Sequence, residues 1–217
     1  MISFTEENYL KAIYHLSGGG ERAVLTNELA EAMQTKAASV TDMVKRLSAK
    51  SLIAYEKYYG VKITAQGKQQ ALQIVRKHRL WETFLVEKLG FTWDEVHAVA
   101  EQLEHIQSPQ LINKLDAFLG FPKTDPHGDP IPDQSGRFKT LSVVGLDQVE
   151  PGRRVMITNV KDNDPELLKY LDKIGAKPGK TVHVIKREAF DKSMEVQIDK
   201  KKIFLSLDVS RNILTAQ

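Results

Sequence analysis

Three of the six histidines, His78, His97 and His105, fall within residues 78–105, each with a carboxylate at helical distance. His78 and Glu82 are four apart, and His97, Glu101, Glu104 and His105 stand at offsets 0, 4, 7 and 8. At 3.6 residues per turn the last four span an arc of about 100°, one face of a helix. Imidazole nitrogen and carboxylate oxygen converging on one stripe are the donors a divalent metal takes from a protein. The same spacing also arises on a solvated acidic face, where histidines pair with glutamates at i,i+4. His15, His127 and His183 have no convergent partners in the sequence and read as non-ligands. Trp81 and Trp93 read as core or interface anchors.

Other chemistries are harder to build. With no cysteine among 217 residues there are no disulfides, iron–sulfur clusters, thiolate zinc sites or cysteine nucleophiles. The segment Glu101-Gln102-Leu103-Glu104-His105 is neither HExxH nor HxxEH, and no general base is left beside an open coordination position. A metallohydrolase is therefore the weaker alternative, and no catalytic residue is expected.

Helical periodicity positions these residues. Residues 5–16 place Tyr9, Leu10, Ile13, Tyr14 and Leu16 on one face, with Thr5 as the expected N-cap and Ser17-Gly18-Gly19-Gly20 as the stop. A second helix is predicted from Thr26, carrying Leu29, Ala30 and Met33 inward. A third spans about Ala37 to Lys50, with Val40, Met43, Val44 and Leu47 buried. Leu52–Thr64 reads as two strands turning at Gly60. Helix, helix, tight turn, helix and hairpin is the order of a winged helix-turn-helix.

Charge falls on the same residues. Residues 36–79 hold 10 basic against 2 acidic side chains, and residues 80–140 hold 5 against 10, although the whole chain is only +3. A basic block that begins with the third helix and runs through the wing points to a polyanion, most often nucleic acid. Lys36, Ala38, Ser39, Thr41 and Asp42 occupy the leading turns of that helix, where side chains reach base edges. Lys45, Arg46, Lys50, Lys57 and Lys62 read as phosphate contacts, which position without specifying.

Beyond the wing, a long helix is predicted from Thr64 to about Leu89, another over Trp93–Ile106, and a third after Ser108-Pro109. The face Leu111, Ile112, Leu115, Phe118, Leu119 is too apolar for a lone surface helix and suits a core or a dimer seam. Residues 122–137, with four prolines and two glycines, read as a linker. The period then changes from 3.6 to 2. Leu141–Val144, Arg154–Val160, Thr181–Ile185, Met194–Ile198 and Ile203–Leu207 are strand candidates, interrupted by a helix over Pro165–Ile174. Five short strands in under 80 residues suggest a small barrel.

The stretches VRKHRLWETFL (75–85), EVHAVAEQLEH (95–105) and DPHGDPIP (125–132), with TEENYLKAIYHL near the N-terminus, resemble the diphtheria-toxin-repressor family of metal-dependent transcriptional regulators. The resemblance covers essentially the whole chain. It implies a mainly α fold with a β wing: a winged helix-turn-helix over 1–72 and a helical metal-binding and dimerisation domain over 73–122. A Pro/Gly-rich linker over 123–140 and a small SH3-like (FeoA-like) β-barrel over 141–217 would follow.

It also implies two metal positions. An ancillary one would take His78, Glu82 and His97, completed by Glu166 or Asp164 from the C-terminal domain. A primary one would take Glu101, Glu104 and His105 with a first-helix residue, which falls on Asn8. Iron-sensing members carry sulfur where this chain has Asn8 and Glu101, and manganese-sensing members carry carboxylates. Oxygen-rich donors without sulfur favour Mn²⁺, with Fe²⁺ the alternative and Zn²⁺, Co²⁺ or Cd²⁺ possible in vitro.

The expectation is a cytoplasmic homodimeric repressor of metal-ion homeostasis that binds a double-stranded, pseudo-palindromic operator when loaded with metal. No membrane partner and no organic cofactor are expected: no apolar run reaches the roughly 18–20 residues of a membrane span, and the N-terminus lacks the features of a secretory signal. A metal-independent winged-helix regulator is the other reading.

Overall fold

The computed structural model describes residues 2–56, 58–139 and 142–216. The chain divides into two compact units, one of residues 1–78, 103–107 and 132–137, the other of residues 79–102, 108–131 and 138–217.

The first unit holds α1 (Phe4–Leu16), α2 (Thr26–Ala32), α3 (Ala37–Ala49), and the antiparallel hairpin β1 (Ile53–Glu56) and β2 (Gly60–Ile63). The helix cap lies earlier than expected. Ser3, not Thr5, caps α1, because Ser3 and Glu6 form a reciprocal capping box. At α2, Leu25 is the cap residue and Glu28 accepts its N–H at 2.7 Å. Tyr9, Leu10 and Ile13 of α1, Leu29 of α2, and Val40, Val44 and Leu47 of α3 meet in one core with Leu52, Ile53 and Val61. Gly60 has φ +93°, and a Cβ there would lie 2.5 Å from the Val24 carbonyl oxygen, so the wing returns against Val24 only with glycine.

Thr64 starts α4 (Ala65–Leu89) by accepting the Gly67 N–H at 3.0 Å. Next come α5 (Val96–Leu103), α6 (Pro109–Phe118) and, further on, α7 (Pro165–Ile174). The single helix expected over Trp93–Ile106 is shorter. It ends at Leu103, so Glu104 and His105 lie in the following turn, not on the stripe that carries His97 and Glu101. The chain must leave helical geometry here because Ser108 caps α6 and Pro109 disfavours helix in the residue before it.

In the second unit, β3 (Val143–Gly145), β4 (Arg154–Val160), β5 (Thr181–Arg187), β6 (Met194–Ile198), β7 (Lys201–Leu205) and β8 (Ile213–Ala216) form an antiparallel sheet of order β3-β8-β4-β5-β6-β7. No ladder joins β3 to β7 among the described residues, so the expected barrel is seen as a six-stranded sheet without shown closure. The sixth strand, β8, is one the sequence reading omitted. The strand expected over 203–207 starts earlier, since a two-residue turn with Asp199 at φ 51° pairs Ile198 with Lys201. It also stops earlier, because Ser206 caps the short helix α8 (Leu207–Ser210). Asp164 caps α7 and Gly175 ends it at φ 76°. Leu168 and Leu171 of α7 pack on the sheet with Val155, Ile157, Val182, Val184, Val196 and Trp93.

Residues 123–131 are a packed loop, with Thr124 bridged to Pro130 and Asp125, His127 and Ile131 buried. Their prolines and glycines set tight turns here instead of an exposed connector.

Candidate metal centre and nucleic-acid interface

Within the second unit, Glu82 on α4 and the loop residues Asp125 and His127 place one ligand atom each within 4.8 Å of one another. All three are buried, His127 completely. The His127 Nδ1 is 3.6 Å from Glu82 Oε2 and 4.0 Å from Asp125 Oδ1, and has no hydrogen-bond partner among the described residues. Its other nitrogen, Nε2, is 2.7 Å from the Trp93 carbonyl oxygen. A carbonyl only accepts, so Nε2 carries a proton and donates it, which turns Nδ1 toward the two carboxylates. A lone pair facing carboxylates is repulsive unless a cation or a proton sits between them. Histidines that bind metal commonly donate their second ring nitrogen to a backbone carbonyl in this way.

The surrounding charges agree. Burial works against an imidazolium at His127, but Glu82, Asp125 and the Trp93 carbonyl outweigh it and push the pKa up to about 9. Burial, then the Glu82 and Asp129 charges, raise Asp125, against Arg79 and His127. Arg79 stands 3.4 Å from Asp125 and 3.3 Å from Asp129. One nitrogen and two carboxylates thus fit a hard or borderline dication. An open cavity of about 530 Å³, lined by Thr83, Phe91, Trp93, Asp125, Pro126 and Lys177 among others, borders the loop at Asp125.

The loop is held in place by its own backbone. Asp125 Oδ1 accepts the N–H groups of His127 and Asp129 at 2.9 and 3.0 Å. Gly128 has φ +89°, and a Cβ there would come 1.9 Å from the Thr158 carbonyl oxygen. Gly128→Ala should therefore displace His127, lower stability by more than about 1 kcal/mol and weaken metal binding. Thermal unfolding and a Mn²⁺ titration of the variant check this, and wild-type behaviour in both would refute the role given to the loop.

The residues singled out from the sequence are distributed as follows. His97, half exposed, lies 3.5 Å from Glu82 Oε1 and 3.6 Å from Glu101. His78 is one turn before Glu82 on α4, and its Nδ1 is 2.7 Å from Glu104. His105 meets Glu7 at 2.6 Å, not Asn8. The Asn8 Oδ1 is buried without a hydrogen-bond partner among the described residues. Glu166 is exposed and pairs with Lys169, while Asp164 is occupied capping α7; neither belongs to a metal-capable group among the described residues. Glu7, Lys11, Asp125 and His127 are the functional candidates that the sequence reading missed. The DPHG segment was the available signal for the last two.

On the nucleic-acid side, α3 buries Val40, Val44 and Leu47 and exposes Ala38, Ser39, Asp42, Lys45 and Arg46, with Lys36 exposed at its N-cap. Thr41 is half-buried and donates its hydroxyl to the Ala37 carbonyl at 3.0 Å. Lys62 is exposed on the wing, while Lys50 is engaged with Glu6 at 2.7 Å. Lys57 lies outside the described residues.

A winged helix followed by buried histidines and carboxylates is the build of a DNA-binding regulator that responds to a metal. Residues 1–61 match the iron dependent repressor N-terminal DNA binding domain, residues 64–133 the iron dependent repressor metal binding and dimerisation domain, and residues 144–216 the FeoA domain. The chain is 35% identical over 128 residues to the iron-dependent repressor IdeR of Mycobacterium leprae, covering 59% of this chain and 55% of that protein. It is 30% identical over 152 residues to the diphtheria toxin repressor of Corynebacterium diphtheriae, covering 70% of this chain and 65% of that protein. The matches thus span little more than half to two thirds of these relatives. A manganese-dependent transcriptional repressor solved with manganese superposes with a TM-score of 0.88 at 34% identity, over 98% of this chain and 99% of that one. ScaR with bound Cd²⁺ gives 0.80 at 32%, over 98% and 99%. The chain belongs to the iron-dependent repressor family, the metal-dependent transcriptional repressors that include the diphtheria toxin repressor.

Proposed function

We propose that this chain is a manganese-activated repressor of metal-ion homeostasis that acts as a cytoplasmic homodimer on a pseudo-palindromic operator and carries no catalytic activity. The observation that carries the reading is the buried Glu82–Asp125–His127 set, in which the imidazole Nδ1 faces two carboxylates. When bound, the metal supplies a positive charge that ties α4 to the 123–131 loop. Glu82, Asp125 and His127 hold it, Trp93 fixes the imidazole, and His97 stands beside Glu82 as an adjacent donor. Of the remaining donors expected from the resemblance, Glu101 stands beside His97, while His78, Glu104 and His105 lie near Lys11 or Glu7.

Metal promotes repression only to the extent that it binds the DNA-competent arrangement more tightly than the free one. A dimer partner suits α6, which leaves Leu111 and Phe118 exposed (40% and 64%) while Ile112 and Leu115 are buried. The proposed domains span 1–72, 73–122, 123–140 and 141–217. No helix of the described residues is long and apolar enough to cross a membrane.

Manganese is the favoured effector, because an oxygen-rich set without sulfur selects by ligand hardness where raw affinity would favour later metals. Anaerobic operator titrations with Mn²⁺ and Fe²⁺ should show activation by manganese at the lower, or an equal, free concentration. Activation by Fe²⁺ at far lower free metal would assign iron instead.

A further inference from the structure

The first unit holds another cluster of carboxylates and histidines, and its charges are matched differently. Glu104 is fully buried, and Lys11 donates to both of its oxygens, at 2.7 and 2.8 Å. His78 Nδ1 reaches Glu104 Oε2 at 2.7 Å. Glu7 Oε2 is 2.6 Å from His105 Nδ1, and its Oε1 accepts from Gln107 at 2.7 Å and lies 3.5 Å from the Lys77 ammonium.

Two carboxylates here meet two ammonium groups, so Lys11 and Lys77 together supply the charge of one divalent ion. On α1, Glu7 and Lys11 are one turn apart, and Asn8 offers a neutral amide where the resemblance implies a ligand. The Lys11 ammonium and the His78 imidazole therefore already occupy the Glu104 carboxylate. A dication on Glu104 must either displace the Lys11 ammonium or sit beside it, where like charges in a buried setting repel strongly. At Asp125 the cation is Arg79, which also faces Asp129, and His127 Nδ1 lies 3.6 Å from Glu82.

We propose that Lys11 is a tethered cation that fills the cation position on Glu104, so that each subunit takes up one exchangeable divalent ion where the resemblance implies two. The location of that one ion, at Glu82, Asp125 and His127, rests on the function proposed above.

The full chain is equilibrated with Mn²⁺, dialysed, and its metal content measured against protein concentration. Wild type and Lys11→Arg should retain one ion per subunit, Lys11→Gln two, and Asp125→Asn none. Two ions in wild type, or no gain in a folded Lys11→Gln, would overturn the proposal. No ion in wild type counts against the Glu82–Asp125–His127 centre, whereas one ion more in Lys11→Gln than in wild type still upholds the tethered cation.

A second measurement needs no variant. Amine-selective labelling of wild type, read by mass spectrometry, should find Lys11 as protected in saturating Mn²⁺ as in chelator. A rise in Lys11 labelling on metal addition means that metal displaces it, and overturns the proposal.

Discussion

Asp125→Asn should reduce Mn²⁺ affinity by about 10- to 100-fold or more, the range that even an outer-shell change costs a metal site, and operator binding should fall with it at limiting metal. The substitution is chosen because it separates charge from architecture. Asparagine keeps the side-chain oxygen that accepts from the His127 and Asp129 N–H groups, so the loop retains its internal bonds. What is lost is one of the two carboxylates facing the His127 nitrogen. The metal-free variant should unfold at a temperature equal to or above that of wild type, because a buried carboxylate crowded by Glu82 and Asp129 has been neutralised. His127→Ala is the harsher variant, since it leaves both carboxylates buried without the imidazole. Isothermal titration with Mn²⁺ alongside thermal unfolding reads both quantities. Unchanged affinity in a folded Asp125→Asn would remove Asp125 from the site.

Operator binding should also fall steeply with salt. Lys36, Lys45, Arg46 and Lys62 are exposed on α3 and the wing of each subunit, enough for a dimer to neutralise several phosphates. An assembly making 6–10 such contacts loses about 10³- to 10⁵-fold in affinity between 50 and 200 mM salt. Lys45→Ala and Lys62→Ala should weaken all sequences nearly alike and lower the salt slope by about 1 per contact removed. Lys50→Ala should act differently, through loss of its pair with Glu6 on α1, and change the salt slope little. A slope that Lys45→Ala and Lys62→Ala leave untouched would place the DNA elsewhere on the molecule.

The winged helix was legible because its signals are local. Period, capping residues and glycine stops lie within a few positions of the elements they define, as with Val40, Val44 and Leu47 on α3. The metal chemistry was legible as a composition of histidines and carboxylates, but its partnering was not. Sequence offsets put Glu104 and His105 on the stripe of His97, yet α5 ends at Leu103 and the two residues enter a turn. His127 looked isolated because its partners Glu82 and Trp93 are 45 and 34 residues away, brought together by a loop whose geometry depends on Gly128. Lys11 was passed over since a lysine on an amphipathic helix ordinarily faces water. Only the fold shows it on a buried carboxylate. In the C-terminal sheet, β8 was missed because a four-residue strand has too little alternation to stand out, and its place between β3 and β4 is a long-range property.

The central claim is that metal occupancy controls DNA binding, and fluorescence anisotropy of a labelled operator, titrated with metal-stripped protein at fixed ionic strength, tests it most directly. The structure predicts weak, sequence-indifferent binding in chelator and tight, operator-specific binding once Mn²⁺ is restored, with the fold unchanged by circular dichroism in both states. Equally tight and specific binding in chelator would contradict it, and would make the chain a winged-helix regulator that does not respond to metal.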